Sequence, residues 1–321
     1  MGRVLEIPDP LPYDPLRTAL YTPEELTAGG LDARIERHVA ETGFRAPHAR
    51  EALAQRLHDH AMDRALAEYV CAVEQERVVG VMGSAATPRE DRWFRAAAEL
   101  GRLLARAGYL VATGGGPGIM EAANLGAALA GHDDSALDEA LDRLAGVPSY
   151  ATDSEAYTAT SVEVREWIGT RALSLAIPTW FYPDEPVGQF ASHVAKYFAN
   201  SIREDGLVTL AVSGIVYAPG RAGTTQELFQ DAAQNAYGIR GRSPMVLLGR
   251  EAWGGEPSIY AVLRDQARRW GGYERLVTLC DAPEEALAFI QGNEPEEALD
   301  ALSGTPEDIL DFMRNQRVRA R

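Results

Sequence analysis

The sequence predicts an α/β protein: a doubly wound, Rossmann-like parallel sheet with an N-terminal helical extension and a C-terminal helix. Three observations predict it. Short apolar runs such as Val78-Val79-Gly80-Val81-Met82 and Met245-Val246-Leu247-Leu248 read as strands buried on both faces. Helix-length segments separate these runs, and such alternation is resolved by a parallel sheet covered with helices. Two of the strand-to-helix turns are rich in glycine, at Gly114-Gly115-Gly116-Pro117-Gly118 and at Pro219-Gly220-Arg221-Ala222-Gly223-Thr224.

The elements follow in order. Ile7 to Pro23 carries five prolines and is expected to be extended or turn-like. From Leu31 to about Val73 the pattern is helical, in two segments. The second, Arg50 to Tyr69, sets Leu53, Leu57, Ala61, Ala65 and Leu66 on one face, which is expected to pack on the main domain or on a partner subunit. Val78–Met82 is a strand ending in Gly83-Ser84, Pro88 to Ala107 a helix, and Tyr109–Thr113 the strand that enters the first glycine turn. Pro117 to Ala130 is a helix whose proline stands near the first turn, where a missing N–H costs nothing. His132 to Trp167 breaks the rhythm with an acidic helical piece, Ser135 to Leu144, and a Thr/Ser-rich stretch. It reads as an insertion or lid (132–167). Ala172–Ile177 resumes as a strand, Gly188 to Glu204 reads as a helix, and Gly214–Ala218 as the strand entering the second glycine turn. A helix over Gly223–Tyr237, a strand over Met245–Leu248, a helix over Ser258–Arg269, a strand over Leu276–Leu279 and a helix from Pro283 complete the alternation, before a last helix at Pro306–Arg317. The division expected is 1–75 for the extension, 76–292 for a nucleotide-binding catalytic domain and 293–321 for a helical tail.

Composition narrows the function. Of 321 residues 46% are apolar and 24% charged, the balance of a soluble globular protein. No apolar run is long enough to span a bilayer, and Met1–Glu6 lacks the apolar core of a secretory signal. The only two cysteines, Cys71 and Cys280, have no metal-type spacing and suggest a reducing compartment, so a cytoplasmic location is expected. A formal net charge of -16 repels nucleic-acid polymers, whose binding needs neutralised phosphates, but leaves room for a local site for one small phosphate. Arginine supplies nearly all the positive charge; Lys196 is the one lysine.

In a doubly wound sheet ligands bind beyond the carboxyl ends of the strands, where both glycine turns lie. Consecutive glycines let backbone N–H groups approach an anion, and a helix N-terminus adds the positive end of its dipole. The first turn lacks the last glycine of a dinucleotide fingerprint and the Gly-Lys-Ser/Thr of a P-loop. In the second, Thr224 and Thr225 offer hydroxyls, and Glu227 stands one turn inside the helix. Thr224-x-x-Glu227 also fits a capping box, in which the glutamate would only bond back to the cap.

The sequence Gly114-Gly115-Gly116-Pro117-Gly118-Ile119-Met120-Glu121-Ala122-Ala123-Asn124, with Pro219-Gly220-x-x-Gly223-Thr224-x-x-Glu227 after it, resembles the LOG (Lonely Guy) family. These nucleoside 5′-monophosphate phosphoribohydrolases, which include bacterial nucleotide nucleosidases, were long mislabelled lysine decarboxylases. The resemblance covers roughly Arg77 to Ile290. It implies a Rossmann-like fold, a homodimer or higher homo-oligomer, no metal and no nicotinamide cofactor, and no cofactor is expected. The reaction it implies is hydrolysis of the N-glycosidic bond of a nucleoside monophosphate, purine above all, to free base and ribose 5-phosphate. Two departures stand out. Arg221 occupies the place of a second glycine. The arginine that the family pairs with its glutamate has two candidates here, Lys196 and Arg203.

The chemistry agrees with the resemblance. Glycosidic cleavage passes through an oxocarbenium-like state that a carboxylate can stabilise or supply with an activated water. The residues expected to carry it are Glu227 with Lys196 or Arg203. Those expected to bind substrate are Gly83, Ser84, Gly114, Gly115, Gly116, Gly118, Glu121, Pro219, Gly220, Arg221, Gly223, Thr224 and Thr225. Trp180-Phe181-Tyr182 are candidates for stacking a base. His58-Asp59-His60 does not read as a metal pair, since i and i+2 diverge on a helix. The rival function is a non-catalytic nucleotide sensor or carrier on the same fold. A decarboxylase reading fails because no pyridoxal context surrounds Lys196.

Overall fold

The computed structural model of the chain describes residues 10–43, 48–73, 77–182, 185–238 and 241–296. The helix expected at Pro306–Arg317 lies outside them. The chain opens with a short helix α1 (Pro23–Thr27), capped by Thr22, then α2 (Leu31–Thr42) and the long α3 (Ala49–Ala72). The alternating part follows as β1 (Val78–Met82), α4 (Arg92–Arg106), β2 (Leu110–Thr113), α5 (Ile119–Ala128), α6 (Ser135–Ala145), α7 (Ser154–Ile168) and β3 (Ser174–Ala176). It continues through β4 (His193–Val194), α8 (Asn200–Leu210), β5 (Ile215–Tyr217), α9 (Ala222–Tyr237), β6 (Met245–Leu248), α10 (Arg250–Gly254), α11 (Ile259–Trp270), β7 (Val277–Cys280) and α12 (Pro283–Gly292).

The seven strands pair in the order β4-β3-β2-β1-β5-β6-β7, every pair parallel. Alternate residues along each strand serve different faces. Val78, Met82, Leu110, Ile215, Tyr217, Met245 and Leu247 join a core shared with α3, α8, α9 and α11. Val79, Val81, Val111, Val216, Val246 and Leu248 join the opposite core, shared with α4, α5, α7 and α12. Two apolar faces are the reason the strands read as continuous apolar runs.

The N-terminal residues pack on this sheet. Tyr13, Leu26, Ile35 and Met62 lie in the same core as Val194, Tyr197 and Phe198. Tyr21 exchanges backbone hydrogen bonds with Val194 at 3.0 and 2.8 Å, covering the edge at β4.

Two expectations need correction. The helix expected over Gly188–Glu204 is instead a mostly irregular segment containing β4, and α8 begins only at Asn200. The backbone from Val194 to Tyr197 finds its partners on Tyr21, Ala176 and Pro178, and Val194–Phe198 are all buried. Residues covered on every side show no helical period, so tertiary pairing outweighs local pattern. The Thr/Ser-rich half of the 132–167 insertion is the helix α7, capped by Asp153. Leu137, Leu141 and Leu144 of α6 and Val164 and Ile168 of α7 are buried in the second core, so the insertion is built into the domain. Among the described residues no helix is long and apolar enough to cross a membrane.

Candidate active site

The chain winds outward from β1 to β4 and returns to place β5 against the other side of β1. The crevice at such a reversal is where an open α/β sheet binds ligands. Here it lies past the ends of β1 and β5, at Gly83-Ser84 and Pro219-Gly220. The Ser84 backbone joins three turns: its N–H donates to the Pro219 carbonyl at 3.1 Å, and its carbonyl accepts from the Ile119 N–H at 3.2 Å. A cleft of about 530 Å³ opens there, lined by Gly83, Ser84, Thr87, Met120, Tyr150, Tyr182, Glu185, Arg203, Glu204, Arg221, Gly223, Thr224 and Glu227, among others.

At its floor Arg203 Nη1 donates to Glu227 Oε1 at 3.1 Å, with the two side chains 7% and 12% exposed. Burial pushes the Glu227 carboxyl up to about 7; Arg203 opposes the shift, and the carboxylates of Glu204 and Glu185 add to it. Arg203 Nε, buried as well, has no partner among the described residues. Glu204 is held by two amide donors, Asn200 Nδ2 at 2.7 Å and Gln226 Nε2 at 2.8 Å.

Of the two candidate partners of Glu227, Arg203 is the one beside it. Lys196 is on the irregular segment before α8, where its Nζ pairs with Asp32 Oδ1 at 2.9 Å and sits 5.3 Å from the centre of the Trp180 ring. Buried at 1% exposure, Lys196 ties α2 to the strand edge. The capping-box geometry is absent. The N-cap of α9 is Arg221, no side chain caps it, and Thr225 Oγ1 donates back to the Arg221 carbonyl at 3.2 Å. The α9 N-terminus therefore faces the cleft without a side-chain cap. Arg221 is exposed with an extended backbone (φ -113°, ψ -157°), so the place of a family glycine accepts a side chain without strain.

The first glycine turn is engaged differently. Three N–H groups at or just after it turn inward: Gly115 donates to Thr113 Oγ1 at 3.1 Å, Gly118 to the Tyr157 hydroxyl at 3.5 Å and Ile119 to the Ser84 carbonyl at 3.2 Å. Thr113 Oγ1 in turn donates to Asn124 Oδ1 at 2.6 Å, which gives Asn124 its place in the motif. Gly118 has φ +67°, and a Cβ there would lie 2.4 Å from the Ser84 carbonyl oxygen. Gly220 is required by close approach, since a Cβ would meet Thr224 at 2.3 Å. Gly114, Gly115, Gly116, Gly118, Pro219, Gly220 and Thr225 adjoin or lie near the lining residues in sequence but are not themselves part of the cleft wall.

Glu121 also faces inward. Arg89 grips it with Nε–Oε2 at 3.0 Å and Nη2–Oε1 at 2.6 Å; Ser161 Oγ donates to it at 2.9 Å, and the Tyr157 hydroxyl donates as well. Arg89 lies 3.3 Å from the centre of the Tyr157 ring. This buried network joins α7 to α5 behind the first glycine turn. Among the aromatic candidates, Trp180 is packed against His58 and Phe198 and donates Nε1–H to Asp32 at 2.8 Å, whereas Tyr182 reaches the cleft. His58 bonds the Tyr21 hydroxyl at 2.9 Å, and no group of His, Cys, Asp and Glu among the described residues could hold a metal ion. Cys71 is exposed, whereas Cys280 is buried. Sequence reasoning missed Glu185 and Glu204, which line the cleft, and Arg89, which holds Glu121 behind the first glycine turn. None lies in a motif, and only the fold brings them to these places.

Residues 76–132 match the model of the SLOG cluster4 family. No curated protein matches the chain. The chain is similar in structure to TM1055, a structural genomics target (23% identity, 68% of this chain and 99% of that one, TM-score 0.44). It is also similar to a molybdenum cofactor binding protein from the phototrophic bacterium Rippkaea orientalis (18%, 67% and 95%, 0.41). A third is the molybdenum cofactor carrier protein of Chlamydomonas reinhardtii (18%, 67% and 96%, 0.41). The chain is thus LOG-like over residues 76–132, from the first strand through the first glycine turn and its helix, where the SLOG cluster4 model matches.

Proposed function

We propose that the protein hydrolyses the N-glycosidic bond of nucleoside 5′-monophosphates, purine nucleotides above all, to free base and ribose 5-phosphate. The observation that carries this reading is the Glu227–Arg203 pair on the floor of a cleft flanked by the open N-terminus of α9. The 5′-phosphate binds on the N–H groups at the start of α9, with Ser84, Thr224 and Arg221 beside it. The dipole and the Arg221 charge favour the anion. The ribose then lies over Glu227, whose carboxylate faces positive charge developing at the anomeric carbon and takes a proton from the attacking water. Arg203 holds one carboxylate oxygen, leaving the other for substrate. A carboxyl pushed up to about 7 is a competent base near neutral pH.

Incubating the protein with AMP, GMP, IMP, CMP and UMP and separating the products by chromatography tests the reading. Free base from at least one is the expected outcome; none, with the protein folded, would sink it. One observation favours a second reading, a nucleotide sensor or carrier: Gly115 and Gly118 of the first glycine turn, and Ile119 after it, spend their N–H groups on protein acceptors and leave fewer for phosphate. Calorimetric binding of a nucleotide without release of base selects that reading. The glycosidase reading also carries a cytoplasmic protein working as a homodimer or higher homo-oligomer, which light scattering on the eluting protein checks.

A further inference from the structure

We propose that Glu185 is a second catalytic residue of this cleft, the acid that protonates the departing base; the proposal rests on the glycosidase reading above. Glu185 lines the same cleft as Glu227 and stands on the loop between β3 and β4. Its Oε1 lies 3.2 Å from where a Cβ on Gly116 would sit, against the first glycine turn, while Glu227 rises from α9 beside the second. The two carboxyl groups thus approach a bound ligand from opposite turns.

Charge separates their states. Arg203 attracts both carboxyl groups but forms its ion pair with Glu227. Glu204, whose oxygens are held by Asn200 and Gln226, adds further negative potential next to Glu227. Arg203 is the guanidinium in contact with this cluster of three carboxyl groups, and its ion pair is with Glu227. This leaves Glu185 as the lining carboxyl with neither an ion pair nor a side-chain donor among the described residues, and so the one able to carry a proton to a ligand. Among the described residues its carboxyl accepts one hydrogen bond, from the Thr179 backbone N–H at 3.3 Å. Lys196 acts on it at longer range, but its ammonium is already engaged by Asp32, whose own charge opposes ionisation of Glu185. Burial is the largest effect and pushes the Glu185 carboxyl above its ordinary range in spite of Arg203 and Lys196.

The bond between the anomeric carbon and the base nitrogen breaks with its electron pair going to the base. The Glu185 carboxyl gives its proton to a ring nitrogen of that base. The water oxygen bonds the anomeric carbon and passes a proton to Glu227. Glu227 then releases a proton to solvent and Glu185 takes one up. The net change is water plus nucleotide to base plus ribose 5-phosphate.

The test uses the full chain, Glu185→Gln, and two substrates: AMP, and a riboside 5-phosphate whose leaving group is 4-nitrophenolate, which departs as a stable anion without a proton. Loss of general-acid catalysis lowers kcat on AMP by about 100-fold or more and leaves the nitrophenyl substrate within about threefold of wild type. The same variant loses the alkaline limb of the kcat/KM–pH profile on AMP. Glu185→Asp, which keeps a proton on a shorter arm, shows an intermediate loss on AMP and stands in if the glutamine variant does not fold. Equal losses on both substrates, or none on AMP, overturn the role of Glu185 and leave the glycosidase reading intact. Wild-type protein inert on both substrates overturns the glycosidase reading, and this role with it.

Discussion

At the scale of single residues, burial decides which polar groups support and which remain free to react. Glu121 and Glu227 both stand in glycine-motif helices, and their surroundings separate them. Glu121 is saturated by Arg89, Ser161 and Tyr157, whereas Glu227 shares one guanidinium and opens on a cleft. Glu227→Gln keeps the shape and removes the base, so turnover on any accepted nucleotide falls by about 10²–10⁴-fold. Calorimetric binding of the same nucleotide is retained; loss of binding without loss of turnover sinks the assignment. Arg89→Met leaves the Glu121 carboxylate buried without its cation. It lowers stability by about 3–5 kcal/mol, read from urea unfolding. A change within the noise there would mean that Ser161 and Tyr157 alone keep Glu121 satisfied.

At the scale of elements, the N-terminal helices aim α8 at the site. Asp59 of α3 accepts the N–H groups of Phe198 at 2.8 Å and Ala199 at 3.0 Å, at the entry of α8. Asp63 accepts from the Tyr197 hydroxyl at 3.0 Å. A carboxylate at a helix N-terminus satisfies donors and complements the dipole. Asp59→Ala leaves the buried N–H of Phe198 and the part-buried N–H of Ala199 without their acceptor and costs about 1–3 kcal/mol in thermal or urea unfolding. It also loosens Arg203, which stands one turn into α8, so turnover falls more than stability alone accounts for. A variant that melts early yet keeps full turnover at low temperature counts against this coupling. The α6–α7 insertion follows the same logic, as its apolar residues and the Arg89 network make it a wall of the site.

At the scale of the whole molecule, the buried carboxyls set how stability depends on pH. Burial pushes Glu227 from 4.5 to about 7 and Asp231 from 3.8 to about 7, the latter partly offset by a hydrogen bond from the Tyr217 hydroxyl at 2.8 Å. Between the ordinary values and about 7 the folded chain binds more protons than the unfolded chain. Stability therefore declines as pH rises through that window. Asp134, held below its ordinary range by Arg106, works in the opposite direction but is fully exposed and weak. The expected result is a higher unfolding temperature at pH 5 than at pH 7.5, with the difference reduced in Asp231→Asn. A protein that is more stable at pH 7.5 would show that other groups dominate.

The sequence alone determined much of the architecture. Val78–Met82 and Met245–Leu248 match their strands residue for residue, because a strand covered on both faces must be apolar throughout. The two glycine turns were visible for a related reason: Gly118 and Gly220 are demanded by local backbone geometry and close approach, which only glycine meets. The segment 188–199 was misread because its conformation is dictated by β3 and Tyr21, distant in sequence. The choice between Lys196 and Arg203 beside Glu227, and the arrival of Glu185 and Arg89 near the same crevice, were likewise decided by tertiary structure. Local propensity acts over a few neighbouring residues, whereas a buried charge is stabilised by whichever partner the fold brings within a few ångströms.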